Sequence, residues 1–401
     1  MRRVRRRALP PSAARNPLRA ALSLLALLAV LAGCAAAPGE GSEGGGRDGS
    51  APDGRGIGER EEGSALEEMS LGEMVGQMFV VGVGGTEPDY YIEKMVRERN
   101  IGGVILFGHN MRSKGQVRSF TRSLQELSLR TEPAVPLFIA VDQEGGEISS
   151  APWVAPQPSA ARIGRRGDPA RARAVAGEMG RQLLEAGVNT DLAPVVDTGF
   201  GAAIGARSYG EDPELVAGMG AAAVEGFEAA GIVSAAKHFP NHGPATSDSH
   251  VTLPVIRHDA ATVRSYDLPP FRAAVEAGVP MVMVGHLIYP AIDPERPASL
   301  SADAISMLRE ELGFEGVVVT DDLAMAGASG GGPPAPAAVR AVKAGADLLI
   351  VTSPPQEQAD AYDAVVAAVE SGEIPRERIV ESVGRVLGVK KRYDLRGAGQ
   401  L

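Results

Sequence analysis

Eight short apolar runs recur along the chain: Met78–Val83, Gly103–Phe107, Pro136–Val141, Val188–Val196, Ile232–Ala236, Met281–Gly285, Val317–Val319 and Ala346–Val351. Between them lie amphipathic stretches long enough for helices. Runs this short and this uniformly apolar suit strands buried on both faces, which is the condition of a parallel sheet covered by helices. Asp168-Pro169 and Asp212-Pro213 read as helix starts, an N-cap acid followed by proline at the first helical position. Ala186-Gly187, Ala230-Gly231, Ala277-Gly278 and Ala344-Gly345 read as helix ends, each glycine standing just before the next apolar run. Eight such β-then-α units predict a single (β/α)8 TIM-type barrel. The rival is an open doubly wound sheet with a phosphate loop after its first strand. Val81-Gly82-Val83-Gly84-Gly85 is glycine-rich but lacks the spacing of that loop.

Polar groups gather where the runs end. Gly108-His109-Asn110 follows the second run and Asp142-Gln143-Glu144-Gly145-Gly146 the third. The fourth passes Asp191 and ends at Asp197, the fifth gives Lys237-His238, the sixth His286 and the seventh Thr320-Asp321-Asp322. Barrel enzymes keep their chemistry on this rim. The densest stretch is Lys237 to His250, KHFPNHGPATSDSH, which holds three of the six histidines with Lys237 and Asp248. Taken singly, Asp191 and Asp197 are expected to bond loop backbone, and Glu144 to pair with a neighbouring Arg or Lys.

The N-terminus carries seven arginines and no acid in its first 33 residues, then a 13-residue apolar run, Ala20–Ala32. That run is short for a membrane span, which needs ~20 residues, and suits a signal-peptide core. It ends in Leu31-Ala32-Gly33-Cys34, and Cys34 is the chain's only cysteine. The pattern resembles a bacterial lipobox, which implies removal of residues 1–33 and lipidation of Cys34. An ordinary secretory signal is the alternative. Residues 34–66, rich in Gly, Ser and charge, read as a flexible tether, and residues 67–398 as the barrel domain. Without residues 1–33 the chain holds 33 basic and 50 acidic residues, a net charge of −17. That opposes nucleic acid as a partner, and leaves a lipid as the only link to a membrane. One cysteine excludes an internal disulfide.

Two chemistries suit the rim: paired carboxylates acting on a glycosidic bond, and a zinc site made by His238, His242, Asp248 and His250. A lysine beside His238 opposes the metal. The motifs VDQEGG (Val141–Gly146), APVVD (Ala193–Asp197), IGARSYGEDP (Ile204–Pro213), KHFPNHGPATSDSH and VVVTDDLAM (Val317–Met325) resemble glycoside hydrolase family 3. Within that family the chain is most similar to the β-N-acetylhexosaminidases of peptidoglycan recycling. The resemblance runs from about Leu71 to Leu395. It implies a retaining exo-β-N-acetylglucosaminidase that acts on a small oligosaccharide or muropeptide. It further implies Asp321 as nucleophile, His250 as general acid/base and Asp248 as the group orienting its ring. Asp142, Arg207, Lys237 and His238 become the sugar contacts, with no cofactor and no metal. Residues two apart in an extended turn can bring a carboxylate to an imidazole nitrogen, which fits Asp248 and His250.

The chain departs from the family after EGG. The usual Arg-Val-x-Arg is here Glu147-Ile148-Ser149-Ser150, and Asn241 stands where glycine is usual in KHFPNHG. Two alternatives stay open: another family 3 activity, β-glucosidase or β-xylosidase, opposed by the acid that DSH supplies within the barrel, and a catalytically weak muropeptide-binding lipoprotein, which the lost arginines support. The implied location is extracytoplasmic, lipid-anchored to the cell membrane. Cys34→Ala is therefore expected to release the chain from the membrane fraction or to leave an unprocessed precursor. A variant that fractionates and migrates like wild type would exclude the anchor.

Overall fold

The computed structural model describes residues 66 and 68–396; the expected leader, Cys34 and almost all of the expected tether lie outside the described residues. Leu66, which composition leaves in the tether, packs against the core. Ten strands follow in order: β1 Phe79–Gly82, β2 Gly103–Ile105, β3 Phe138–Val141, β4 Gln143–Gly145, β5 Ile148–Ser149, β6 Thr190–Asp191, β7 Val233–Phe239, β8 Met281–Val284, β9 Val317–Thr320 and β10 Leu349–Val351. Eight of them form one parallel sheet in the order β10-β1-β2-β3-β6-β7-β8-β9. A parallel bridge between Val319 and Leu348 joins its two ends. The result is the expected barrel, and every one of the eight apolar runs supplies one of its strands.

Alternation along each strand builds two cores. Val80, Ile105, Phe138, Ala140, Val233, Met281, Val317 and Ile350 fill the barrel interior. Phe79, Val81, Val104, Ile139, Val282 and Val318 point outward into the layer shared with the helices. The helices begin and end as the sequence predicts. Asp168 and Asp212 accept from the backbone N–H of Ala170 and Glu214 at 3.1 Å each, opening Pro169–Leu184 and Pro213–Ala230. Gly187, Gly231, Gly278 and Gly345 all sit at positive φ, between 75° and 111°.

Closure is fastened by a buried acid. Asp347 accepts from the Val318 N–H at 2.9 Å, and its own N–H donates to the Val318 carbonyl at 2.8 Å. Arg309, Arg378 and Arg385 converge on the same carboxylate. The clamp sits just before β10, where the last strand must meet β9, so one residue both pairs with three arginines and sets the closing register.

Two strands differ from the sequence reading. β6 is only two residues long; Pro194 has no N–H to continue the ladder, and pairing resumes as the single bridge Val195–Lys237. β7 does not stop where the charged groups begin but runs through them to Phe239. A further antiparallel hairpin, β4–β5, projects from the end of β3.

Candidate active site

The register of β7 decides what enters the site. Lys237 pairs with Met283 and Phe239 with Val284, so His238 is an extra residue, a bulge against β8. In a regular strand neighbours face opposite ways. Here Lys237 and His238 both line a cavity of about 290 Å³ at the carboxyl end of the barrel. Phe239 then turns back to the outer layer, its ring 5.3 Å from that of Phe271.

Lys237 is buried, its side chain only 2% exposed, and is held by two acids. Its Nζ lies 2.6 Å from Asp142 Oδ1 and 2.8 Å from Glu144 Oε1. Arg207 closes the group, with Nε and Nη2 each donating to Glu144 at 2.8 Å in a bidentate pair. The turn of β4 explains how Glu144 reaches so deep: the hairpin folds over the rim and Gly146 N–H bonds the Gln157 carbonyl at 3.0 Å. Burial pushes the Glu144 carboxyl up, but Lys237 and Arg207 outweigh it and hold it down at about 2. The same acids raise Lys237 against its own burial. Both charges are thus fixed at neutral pH.

His238 is oriented from behind. Its Nδ1 lies 2.7 Å from Asp197 Oδ2, and its backbone N–H also donates to that carboxylate. Asp197 accepts a further backbone N–H, from His242, at 2.5 Å. Burial raises Asp197, and the two imidazoles with the His242 N–H bring it below the usual carboxylate range. The expectation of loop-backbone bonding for Asp197 is met, but the residue also fixes the ring of a cavity-lining histidine. Asp191 accepts from Gln143 N–H at 3.0 Å, and burial pushes its carboxyl well up.

The two acids after β9 differ sharply. Asp322 is enclosed: Ala324 N–H and Thr352 N–H donate to it at 3.0 and 3.1 Å, and the Thr352 hydroxyl donates to its other oxygen. Burial, joined by repulsion from Asp321, raises its carboxyl. Asp321 accepts a single hydrogen bond, from Asp322 N–H at 2.8 Å. Burial raises it too, but His286, His238, that N–H and Lys237 outweigh burial and lower it. Burial lowers the His286 imidazole against the pull of the Asp321 carboxylate; its Nε2 lies 2.9 Å from the Asp322 carbonyl and its Nδ1 2.7 Å from Ser299 Oγ. Asp321 is therefore an ionised carboxylate turned toward the cavity.

At the cavity mouth His250 is 68% exposed, with its Nδ1 2.7 Å from Asp248 Oδ1. Asp248 also accepts the His250 backbone N–H at 2.9 Å, so the two-residue turn predicted from DSH forms. Asp142, Arg207, Lys237, His238, His250 and Asp321 all line the one cavity, and Asp248 stands behind His250. Glu144, His242, Ser249, Asp322 and Thr352 line it as well. Sequence reasoning gave Glu144 and Asp322 lesser parts and overlooked Ser249 and Thr352, whose side chains carry no spacing signal. Ser150 borders the cavity, and Glu147 lies exposed in the hairpin turn. Among the described residues no group of three or more His, Cys, Asp or Glu side chains is arranged to hold a metal ion.

Residues 70–389 match the glycosyl hydrolase family 3 N terminal domain. The chain belongs to this family. It is a glycoside hydrolase by that membership, and the motifs that resembled the family are those that build the cavity. The chain is 34% identical to "Beta-hexosaminidase A" of Pseudoalteromonas piscicida, over 75% of its own length and 55% of that protein. It thus spans little more than half of that relative. A solved family 3 β-N-acetylglucosaminidase from Paenibacillus sp. is 40% identical with TM-score 0.79, covering 82% of this chain and 63% of that one. The β-N-acetylhexosaminidase of Beutenbergia cavernae is 32% identical with TM-score 0.74, covering 81% and 99%.

The Glu144 cluster gives a stability prediction. A carboxyl at about 2 in the folded chain against 4.5 free stabilises the fold fully above pH 4.5, and that contribution is lost as pH falls toward 2. It amounts to roughly 3 kcal/mol at most. Glu144→Gln should be less stable than wild type at pH 6, and the gap should narrow between pH 4.5 and 2. Urea unfolding across that range measures it, and a gap independent of pH would contradict the account.

Proposed function

We propose that the chain is a retaining exo-β-N-acetylglucosaminidase. In this reading Asp321 attacks the anomeric carbon of a terminal β-linked GlcNAc as the bond to the leaving oxygen breaks. His250 Nε2 gives that oxygen its proton. Water then attacks the glycosyl-Asp321 intermediate, yields its proton to the same nitrogen, and releases Asp321. Asp248 accepts a hydrogen bond from His250 Nδ1–H, which fixes the tautomer and leaves Nε2 to do the proton transfer. The observation that carries the reading is the pairing of an ionised, sparsely bonded carboxylate with a carboxylate-backed imidazole on one sugar-sized cavity.

The cavity suits one sugar residue whose leaving group extends past the exposed His250. Asp142 would accept from sugar hydroxyls, while Lys237, Arg207 and His238 would donate to hydroxyls or to the acetamido oxygen. These side chains are held by Glu144 and Asp197, so their polar atoms are set before substrate arrives. GlcNAc as the sugar draws support from the relatives, which bear the names β-hexosaminidase and β-N-acetylglucosaminidase. The natural substrate is proposed to be a peptidoglycan fragment met outside the cytoplasm, with Cys34 as lipid anchor. Among the described residues no helix is long and apolar enough to cross a membrane.

Leaving-group dependence tests the roles. Asp321→Asn should fail on every substrate, by ~10⁴-fold or more, while Asp322→Asn should keep a measurable fraction of activity. His250→Ala should lose ~10²–10⁴-fold on a disaccharide, whose alkoxide needs a proton to depart. With a nitrophenyl glycoside the first step needs no acid, so a burst of nitrophenol followed by slow turnover is expected, with azide speeding turnover. Equal losses on both substrates without a burst would make His250 a binding or structural residue.

A further inference from the structure

A second cavity, of about 380 Å³, lies behind the β4–β5 hairpin and is lined by Arg162, Arg166 and Arg171 together with Pro156, Gln157 and Pro158. Among the described residues no acidic side chain contributes to its lining. The stretch from Arg162 to Arg173 holds five arginines and one acid, Asp168, in a chain that carries −17 beyond residue 33. Asp168 is occupied as the cap of the helix Pro169–Leu184. Arg173 pairs with Glu225, but among the described residues no ion pair engages Arg162, Arg166 or Arg171, and all three side chains are exposed.

One of these arginines, Arg171, also stands where local physics disfavours a cation. Arg162 lies in the last turn of the short helix Ala160–Gly164 and Arg166 just beyond its end. Arg171 is in the first turn of Pro169–Leu184, at the positive end of the helix dipole. Three arginines around one concave surface, with no acid in its lining, are better explained by a ligand than by folding. Guanidinium groups so arranged suit oxyanions, which they bind through paired hydrogen bonds.

The position says what kind of ligand. Gln157, in the wall of this cavity, accepts the Gly146 N–H at 3.0 Å. A Cβ at Gly145 would lie 3.0 Å from the Pro158 carbonyl. The same hairpin carries Glu144, Ile148 and Ser150 into the catalytic cavity on its other side. We infer that this arginine-lined cavity is an accessory binding site for an acidic glycan, gripping carboxylate or phosphate groups on a saccharide chain outside the cavity where a sugar is cleaved. The inference rests on membership of a glycoside hydrolase family and not on which sugar is removed.

The test is direct binding to the full chain at low salt, followed by calorimetry or affinity electrophoresis. An oligogalacturonate supplies carboxylates, a phosphorylated dextran supplies phosphates, and unmodified dextran is the neutral control. Wild type should bind one or both acidic glycans, more weakly as salt rises, and should ignore the neutral one. Which acidic probe wins identifies the oxyanion. The triple variant Arg162→Ala, Arg166→Ala, Arg171→Ala should lose at least tenfold in affinity, and the triple lysine variant should fall between. The alanine variant should melt within a degree or two of wild type, because the three exposed side chains make no ion pair among the described residues, and should cleave a small neutral chromogenic glycoside at the wild-type rate. No binding of either acidic glycan by wild type, equal binding by the alanine variant, or equal binding of the neutral dextran would each overturn the inference. If the chain binds as expected but cleaves no N-acetylglucosaminide, the inference stands and the proposed activity falls.

Discussion

Lys237 is a cation held almost wholly out of water at the floor of the site, and the arrangement around it follows from that cost. An unpaired ammonium at that depth would be strongly destabilising. Glu144 and Asp142 offset it, but their charges then need partners of their own, and Arg207 supplies a bidentate one to Glu144. The hairpin β4–β5 exists in the right place because Glu144 must fold inward to complete the set. His238 enters beside Lys237 through the β7 bulge, and Asp197 fixes its ring. A polar floor of this kind is rigid before any ligand binds, which is the condition for electrostatic stabilisation of a reacting sugar.

Against that floor, Asp321 and Asp322 illustrate how neighbours in sequence acquire different chemistry. The carboxylate of Asp322 is used up in tying the loop after β9 to Thr352. Asp321 faces the histidines and Lys237 instead, and their field keeps it ionised despite burial. On the proposed mechanism a nucleophile must be charged and underused, whereas a loop brace may be raised and saturated. The opposite directions of the two carboxyls give the physical basis for choosing between them.

The barrel was legible because its constraints are local and repeated: apolar runs buried on both faces, proline-led helix starts, glycine at positive φ before four of the strands. The rim was legible for the same reason, since a residue that follows a barrel strand must lie on that rim. The pairing of Asp248 with His250 needed only a two-residue turn. What could not be read was long-range. Nothing near Lys237 in sequence says that its partners are Asp142 and Glu144, roughly a hundred residues earlier, or that a one-residue bulge turns His238 inward. The shortness of β6 follows from Pro194, which was visible, but its strand run hid the interruption. Asp347 precedes the last strand in plain view, yet its role as a clamp depends on three arginines brought in from two other segments.

The central claim is that a glycosyl group passes through the carboxylate of Asp321. A fluorinated GlcNAc donor with a good leaving group should form the intermediate and slow its hydrolysis. Peptide mass mapping of the trapped protein then locates the sugar. The account predicts one added glycosyl group on the peptide that contains Asp321, absent from Asp321→Asn and present in Asp322→Asn. A label on Asp322 or Glu144, or turnover of the donor with no covalent species at all, would contradict it.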